Sequence, residues 1–299
     1  MIVVTAPTGH IGSKVLTGLL DQPEPVRVIA RDPQKLPPAA LERFDVITGS
    51  HHDPSVLDRA LTDANALFWL MPAERTAPSI YDAYVTASIP GAEASRRHGV
   101  QRVVIVSALG RGTGIYGGHI SASLAMEDLF RSTGVHVRAL ANPTFIDNLL
   151  RQIPALQAGV LTGNLPGDLA LPTVATADIA TTAVRLLLDH TWTGQDTIGV
   201  MGPEDLSMND TARILTEVLG TPIRYERGDR AGDLQAFMGY GFSEAVAQAL
   251  VDMDVAKERG IDRAIARTPE NTTPTSLRRF AEEVLKPAMD AASPRHAAA

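Results

Sequence analysis

Apolar residues fall along this chain in two alternating rhythms. A short run from Ile2 to Thr5 ends at Pro7 and Gly9, and Ile11, Val15, Leu16, Leu19 and Leu20 then follow at the three-and-four spacing of a helix buried on one side. That spacing predicts strand, turn and helix. Apolar or near-apolar runs, mostly β-branched, recur at 26–30, 46–48, 66–70, 103–106 and 137–140, and such strands suit a parallel sheet covered on both faces. Between them lie helical patterns at 54–61, 78–98 and 121–132. The alternation predicts an α/β fold with a doubly wound parallel sheet. Pro90-Gly91 interrupts one helical pattern. A proline there removes an amide donor and clashes with the preceding turn at a cost of about 3 kcal/mol, so a break or kink is expected between Ser88 and Pro90.

Past Asn148 the character changes. Gly and Pro become frequent between 159 and 172, and strand-like runs thin out. A smaller, mainly helical C-terminal region is expected over 149–288, with helices at 176–189, 207–219, 243–255 and 275–285. The third residue after Ser207 is Asp210, a helix-capping pattern. A strand at 196–200 is expected to rejoin the main sheet. The Ala-rich stretch 289–299 is expected to be a disordered tail.

Composition narrows the partners. A chain of 299 residues with 44% hydrophobic and 20% charged residues can bury a sizeable core, and a net charge of −7 disfavours nucleic acid and anionic membrane surfaces. With no cysteine there is no thiolate nucleophile, thiolate metal site or disulfide. The start lacks a basic segment and a membrane span, so a cytoplasmic protein is expected. His51-His52-Asp53 invites a metal reading, but adjacent side chains diverge on an extended segment and no further ligand cluster joins them, so no metal is expected. Trp69 and Trp192 read as core and surface packing respectively.

The chemistry begins at Thr5-Ala6-Pro7-Thr8-Gly9-His10-Ile11-Gly12. Two glycines three apart, directly after a strand and at the mouth of a helix, suit a dinucleotide pyrophosphate: Gly9 admits the phosphates, Gly12 permits close packing, and the helix start offers free amides and partial positive charge. Ala6 stands where a first glycine is usual. A Rossmann dinucleotide-binding domain over 1–148 follows. About twenty residues on, the second strand ends in Arg31-Asp32, and a guanidinium at that point suits a ribose 2′-phosphate, favouring NADP(H) over NAD(H). Lys35 reads as an exposed loop charge.

With these residues in place the chain resembles the NmrA-like group of atypical short-chain dehydrogenases over residues 1 to about 285. Residues 6–12 look like its Gly-Ala-Thr-Gly-x-x-Gly turn, and Ala30-Arg31-Asp32-Pro33 like its NADP-selecting strand end. Leu70-Met71-Pro72 resembles the fourth-strand loop that passes the cofactor, and residues 104–108, with Ser107, the fifth-strand end that carries the family's serine. The run from Asn142-Pro143 through Phe145 to Asn148 resembles the segment where substrate and nicotinamide meet, while residues 202–207 and 274–277 match two C-terminal signatures. The resemblance implies cofactor contacts from Thr5, Thr8, Gly9, His10, Ile11, Gly12, Arg31, Ser50, Leu70, Met71, Pro72, Ser107, Asn142 and Pro143, and a substrate pocket at Phe145 and Asn148. Four departures stand out. The family's His-x-x-x-Lys-x-x-x-Glu helix reads His119, Ser123, Glu127; there is no Tyr-x-x-x-Lys pair; Asn142 stands where arginine is common; and Ser50 replaces an aspartate beside the adenine.

Hydride chemistry belongs to the nicotinamide, and the protein must hold an electrophilic carbon against it and supply a proton. His119 is the first candidate donor, with Tyr116 and Ser107 beside it, since an imidazole donates near neutral pH. Glu127 reads as structural, and Met238-Gly239-Tyr240-Gly241-Phe242 either flanks the substrate opening or links two elements. The leading expectation is an NADPH-dependent oxidoreductase acting on a small apolar quinone, enone or ketone. A cofactor-sensing regulator with a protein partner, and a non-redox tailoring enzyme on the same fold, stand as alternatives; a homodimer is left open.

Overall fold

The computed structural model describes residues 1–292. Strand β1 (Ile2–Val4) leads into α1 (Gly12–Leu19), and the chain continues through β2 (Val26–Ala30), α2 (Pro38–Arg43), β3 (Asp45–Thr48), α3 (Pro54–Leu61), β4 (Ala66–Trp69), α4 (Ala87–Arg97), β5 (Arg102–Ala108), α5 (His119–Ser132) and β6 (His136–Asn142). The second half runs β7 (Thr144–Phe145), α6 (Ile153–Gln157), β8 (Val160–Gly163), β9 (Leu171–Val174), α7 (Thr176–Leu188), β10 (Gln195–Gly199), β11 (Asp205–Leu206), α8 (Met208–Leu219), β12 (Arg224–Arg227), α9 (Arg230–Gly239), α10 (Glu244–Glu258), α11 (Leu277–Phe280) and α12 (Lys286–Ala291).

Seven strands form the main sheet in the order β10-β6-β5-β4-β1-β2-β3. Every pairing in it is parallel. The doubly wound expectation holds, and β10 rejoins the sheet beside β6 as expected. Because side chains alternate across a strand, neighbouring residues feed opposite cores. Val3, Ile29, Leu67 and Trp69 pack with Leu57, Met126 and Phe130 from α3 and α5, whereas Ile2, Val4, Val28 and Phe68 pack with Val15, Leu16, Ile179 and Ala183 from α1 and α7. A third core gathers Ile146, Leu156, Leu161, Leu215 and Phe280 under two small sheets, β11-β9-β7 and β12-β8. Strand order reverses between β1 and β4, and a crevice opens at such a point beyond the carboxyl ends of the strands.

Three expectations need correction. Pro90 does not break its helix, since residues 87–97 are continuously α-helical around it. The irregularity lies one turn earlier, as a π-turn over Asp82–Thr86 in which the Ala87 amide reaches back to the Asp82 carbonyl. Widening that turn relieves the clash a proline imposes on the carbonyl four residues before it. Gly91 has its own reason: a Cβ there would come within 2.3 Å of the Trp69 ring. The expected tail begins inside a helix, since α12 runs through Ala291, and residues 293–299 lie outside the described residues. Trp192 is buried rather than superficial, with its Nε1 donating to the Leu186 carbonyl at 2.8 Å and Arg138 stacked 4.5 Å over its ring. The Ser207 cap forms as expected, its hydroxyl accepting from the Asp210 amide at 3.0 Å.

Candidate active site

A cavity of about 1030 Å³ runs from the β1–α1 turn across the strand ends to the inner face of α10. At the first end the backbone does the shaping. Ala6 takes a left-handed conformation (φ 48°), and its carbonyl accepts from the Gly9 amide at 3.2 Å. A Cβ on Gly12 would meet that same carbonyl at 2.1 Å, so Gly12 is required for helix and turn to close on each other. Ile11 precedes α1 without a side-chain cap, which leaves first-turn amides for an anionic ligand. Thr8, Gly9, His10 and Ile11 line the cavity here.

Arg31 stands exposed on the rim with no ion pair among the described residues. Asp32 and Lys35 line the same rim, the Asp32 carboxylate accepting from the Gln34 amide at 3.1 Å and lying 3.8 Å from Lys35. Leu70, Met71 and Pro72 form the adjacent wall with Gly49 and His51. His51 is nearly buried, edge-on to Trp69 at 5.5 Å, and burial, with His52 and Arg31 nearby, pushes its pKa down to about 3.

Three expected contacts lie outside the cavity lining. Thr5 is fully buried and ties β1 to β4, its hydroxyl donating to the Phe68 carbonyl at 3.0 Å and accepting from the Leu70 amide at 3.0 Å. Gly12 acts beneath the turn, as above. Ser50 is spent locally, accepting from the His52 amide at 3.2 Å, while Asp53 caps α3.

At the other end side chains do the work. Ser107, from the end of β5, and Ser123, from α5, are both buried, with hydroxyls 3.2 Å apart. Asn142 at the end of β6 donates to the Ser107 and Leu140 carbonyls at 3.0 and 2.8 Å, leaving its buried Oδ1 without a partner. Pro143, Phe145 and Asn148 line the floor. Asp147 anchors it, since its carboxylate receives Lys14 at 3.2 Å, the Thr176 amide at 2.8 Å and the Thr176 hydroxyl.

His119 is in the cavity wall. Burial, reinforced by Lys257, pushes its pKa down to about 4, so the ring is neutral at pH 7. Its Nε2 lies 2.9 Å from the Tyr84 hydroxyl, whose own pKa is raised by burial. Tyr116 is not brought to the site: it is 56% exposed, on the Gly110–Gly118 loop, outside the cavity. Glu127 is fully buried in an ion pair with Arg111 at 2.7 Å, away from the cavity, as its structural reading expected.

Sequence reasoning missed Tyr84, Phe237, Lys257 and Asp262, all of which line the cavity; of the Met238–Phe242 segment read as a flank of the substrate opening, Phe242 lines it too. One signal was available. Val246, Leu250, Met253 and Lys257 occupy a single helical stripe at spacings of four, three and four, and a lysine in an apolar stripe is a buried charge in need of a reason.

The residues fit a dinucleotide: a glycine-enforced turn, uncapped helix amides, an unpaired arginine at the rim and an orphaned buried amide oxygen beside the strand ends. Among the described residues no group of three His, Asp or Glu side chains is placed to hold a metal, and no helix is long and apolar enough to cross a membrane.

Comparison with known proteins agrees with this geometry. The profile of the NAD(P)H-binding family matches residues 7–190. A (4-alkanoyl-5-oxo-2,5-dihydrofuran-3-yl)methyl phosphate reductase of Streptomyces griseus is 29% identical over 283 residues, covering 94% of this chain and 95% of that protein. Quinone oxidoreductase 2 of Escherichia coli is 25% identical over 268 residues, covering 87% and 89%. Among solved structures, the Escherichia coli NADPH-dependent quinone oxidoreductase in complex with NADPH superposes with a TM-score of 0.79 at 21% identity, covering 95% of this chain and 100% of that one. The Citrobacter triphenylmethane reductase bound to NADP(H) gives 0.78 at 19% identity, covering 95% and 99%.

Proposed function

The chain belongs to the NAD(P)H-binding family, in its NmrA-like branch of atypical short-chain reductases, and from that premise we propose that it is an NADPH-dependent oxidoreductase that reduces a small apolar acceptor, a quinone, enone or ketone, by hydride transfer. One observation carries the reading: a single cavity joins a phosphate-binding turn to a pocket walled by Phe237, Phe242, Val246, Leu250 and Met253. Bound nicotinamide supplies the hydride. The chain's part is to anchor the pyrophosphate on α1, hold the ring near Ser107 and Asn142, and exclude water with the apolar wall.

The preference for NADP(H) over NAD(H) rests on Arg31 and Asp32. A ribose 2′-phosphate would meet a guanidinium that has no ion pair among the described residues, whereas one oxygen of the neighbouring Asp32 carboxylate, the group that would hold free ribose hydroxyls, already accepts from the Gln34 amide. The two curated relatives named above act, by their names, on an oxo-dihydrofuran and on quinones, both carbonyls conjugated to a carbon–carbon double bond. Conjugated acceptors are therefore the first to test. NADPH oxidation, followed at the reduced nicotinamide absorbance with a panel of quinones, unsaturated lactones and ketones, should be fastest with a conjugated member. Tight NADPH binding with no turnover across the panel would overturn the reading.

A further inference from the structure

At the wall of the cavity, near the end of α10, Lys257 and Asp262 form an ion pair of 2.6 Å with side chains only 5% and 1% exposed. Asp262 is carried by a one-turn helix, Ile261–Arg263, that Gly260 opens in a left-handed conformation (φ 92°). Such a pair is costly to bury, and an apolar pair of the same volume is often as stable or more so. Closing a five-residue turn does not require it. An ammonium also has three donors, and among the described residues the Lys257 Nζ uses one, toward Asp262. Its other two N–H groups have no protein acceptor among the described residues, and Lys257 lines the cavity, so they are available to a ligand there. Both residues line the same cavity as Ser107, Ser123, His119 and Tyr84, and the charge of Lys257 is felt at the His119 ring.

We propose that Lys257 is the oxyanion-holding group of this site, donating through its free N–H bonds to the acceptor oxygen that gains charge as hydride arrives. The inference rests on the reductase reading above and narrows it. With an enone, hydride from reduced nicotinamide forms the new C–H bond at the β-carbon, the carbon–carbon π pair shifts to leave an enolate oxygen against the ammonium, and the α-carbon then takes a proton from water. The net change is two electrons and one proton from NADPH plus one proton from solvent. A permanently anionic headgroup fits less well, because Asp262 already offsets the lysine charge and Asp254 lies in the same wall. A carbonyl that becomes negative only in the transition state receives the full benefit of a preorganised donor.

The test uses the full chain, K257M, and K257M/D262L, the second variant removing both charges so that no unpaired carboxylate is left buried. NADPH affinity should stay within about twofold, while kcat with an unsaturated lactone or quinone should fall about 10²- to 10³-fold in both variants, the loss typical of a missing oxyanion donor. An independent optical arm uses 4-hydroxybenzaldehyde, whose phenolate absorbs at longer wavelength than the phenol. The wild-type complex with NADP⁺ should ionise it at a lower pH than free solution does, and both variants should lose that shift. Equal ionisation in wild type and variants, or kcat within threefold in the double variant, would overturn the assignment. If wild type binds no NADPH, the reductase reading falls, yet the phenol titration of the free protein still decides the role of Lys257.

Discussion

The two ends of the cavity are built by opposite means. The turn from Ala6 to Gly12 is made of backbone, held in one short segment by the Gly9 amide on the Ala6 carbonyl, by Gly12 and by a left-handed Ala6. The opposite end is made of side chains, from β5, α5, the turn before α4, α10 and the one-turn helix that bears Asp262. A backbone site binds what every dinucleotide shares, its phosphates, and tolerates little change. A side-chain site can be rebuilt one residue at a time, which is how a common cofactor cradle serves different acceptors.

The difference also appears in what each end costs the fold. The cofactor end buries few polar side chains, whereas the reaction end buries Ser107, Ser123, Asn142, Lys257 and Asp262, groups whose satisfaction depends on one another or on a ligand.

The sharpest way to break the comparison is Gly12→Val. Its Cβ would fall on the Ala6 carbonyl, so pyridine nucleotide binding should vanish and unfolding should be easier by at least about 2 kcal/mol. Retained NADPH affinity in a calorimetric titration would mean the turn is not the phosphate cradle.

Acid should act next most strongly, through the two depressed histidines. Above pH 6.5 neither the folded nor the unfolded chain protonates them, so they contribute nothing to the slope. As pH falls below 6.5 the unfolded chain takes up protons that the folded one refuses, down to about 4 for His119 and about 3 for His51. Stability should decline through that window, by on the order of 3 kcal/mol for His119 and about 5 kcal/mol for His51. Denaturant unfolding of His51→Gln and His119→Gln at pH 7 and pH 4.5 checks it, since each variant should flatten the decline. An unchanged slope in both would contradict it.

His119→Ala sharpens the comparison at the reaction end. By removing a neutral hydrogen-bond donor from the site, it should lower kcat about 10²-fold with an enone or ketone, change quinone turnover little, and leave NADPH affinity intact. Because the ring stays neutral down to about pH 4, the wild-type rate should show no His119 limb between pH 5 and 8. A limb near pH 6.5 that disappears in the variant would restore an imidazolium acid.

How much of this was legible in the sequence follows the same division. The strands and helices of the nucleotide-binding half are visible because each is a local run with its own period, and the turn is visible because its constraints lie within eight consecutive residues. Pro90 was seen but its consequence was misplaced, since the neighbouring backbone, not the proline, absorbed the strain as a π-turn. The pocket was only half readable. Ser107, His119, Asn142 and Phe145 sit at strand or helix ends where such residues are looked for, but Tyr84 meets His119 from 35 residues away in the chain and Lys257 reaches the same cavity from more than 130 residues beyond His119. Tyr116 shows the converse error: nearness in sequence to His119 did not bring it into the cavity, because the glycine-rich loop carries it outward.

The central claim, a phosphorylated dinucleotide docked along β1, α1 and Arg31, is met most directly by titrating wild type and Arg31→Ala with NADPH and NADH under one buffer. Wild type should prefer NADPH, and the substitution should cost about 1.5 kcal/mol for NADPH, a little over tenfold, with NADH almost unaffected. Equal losses for the two cofactors, or no heat with either, would contradict the account.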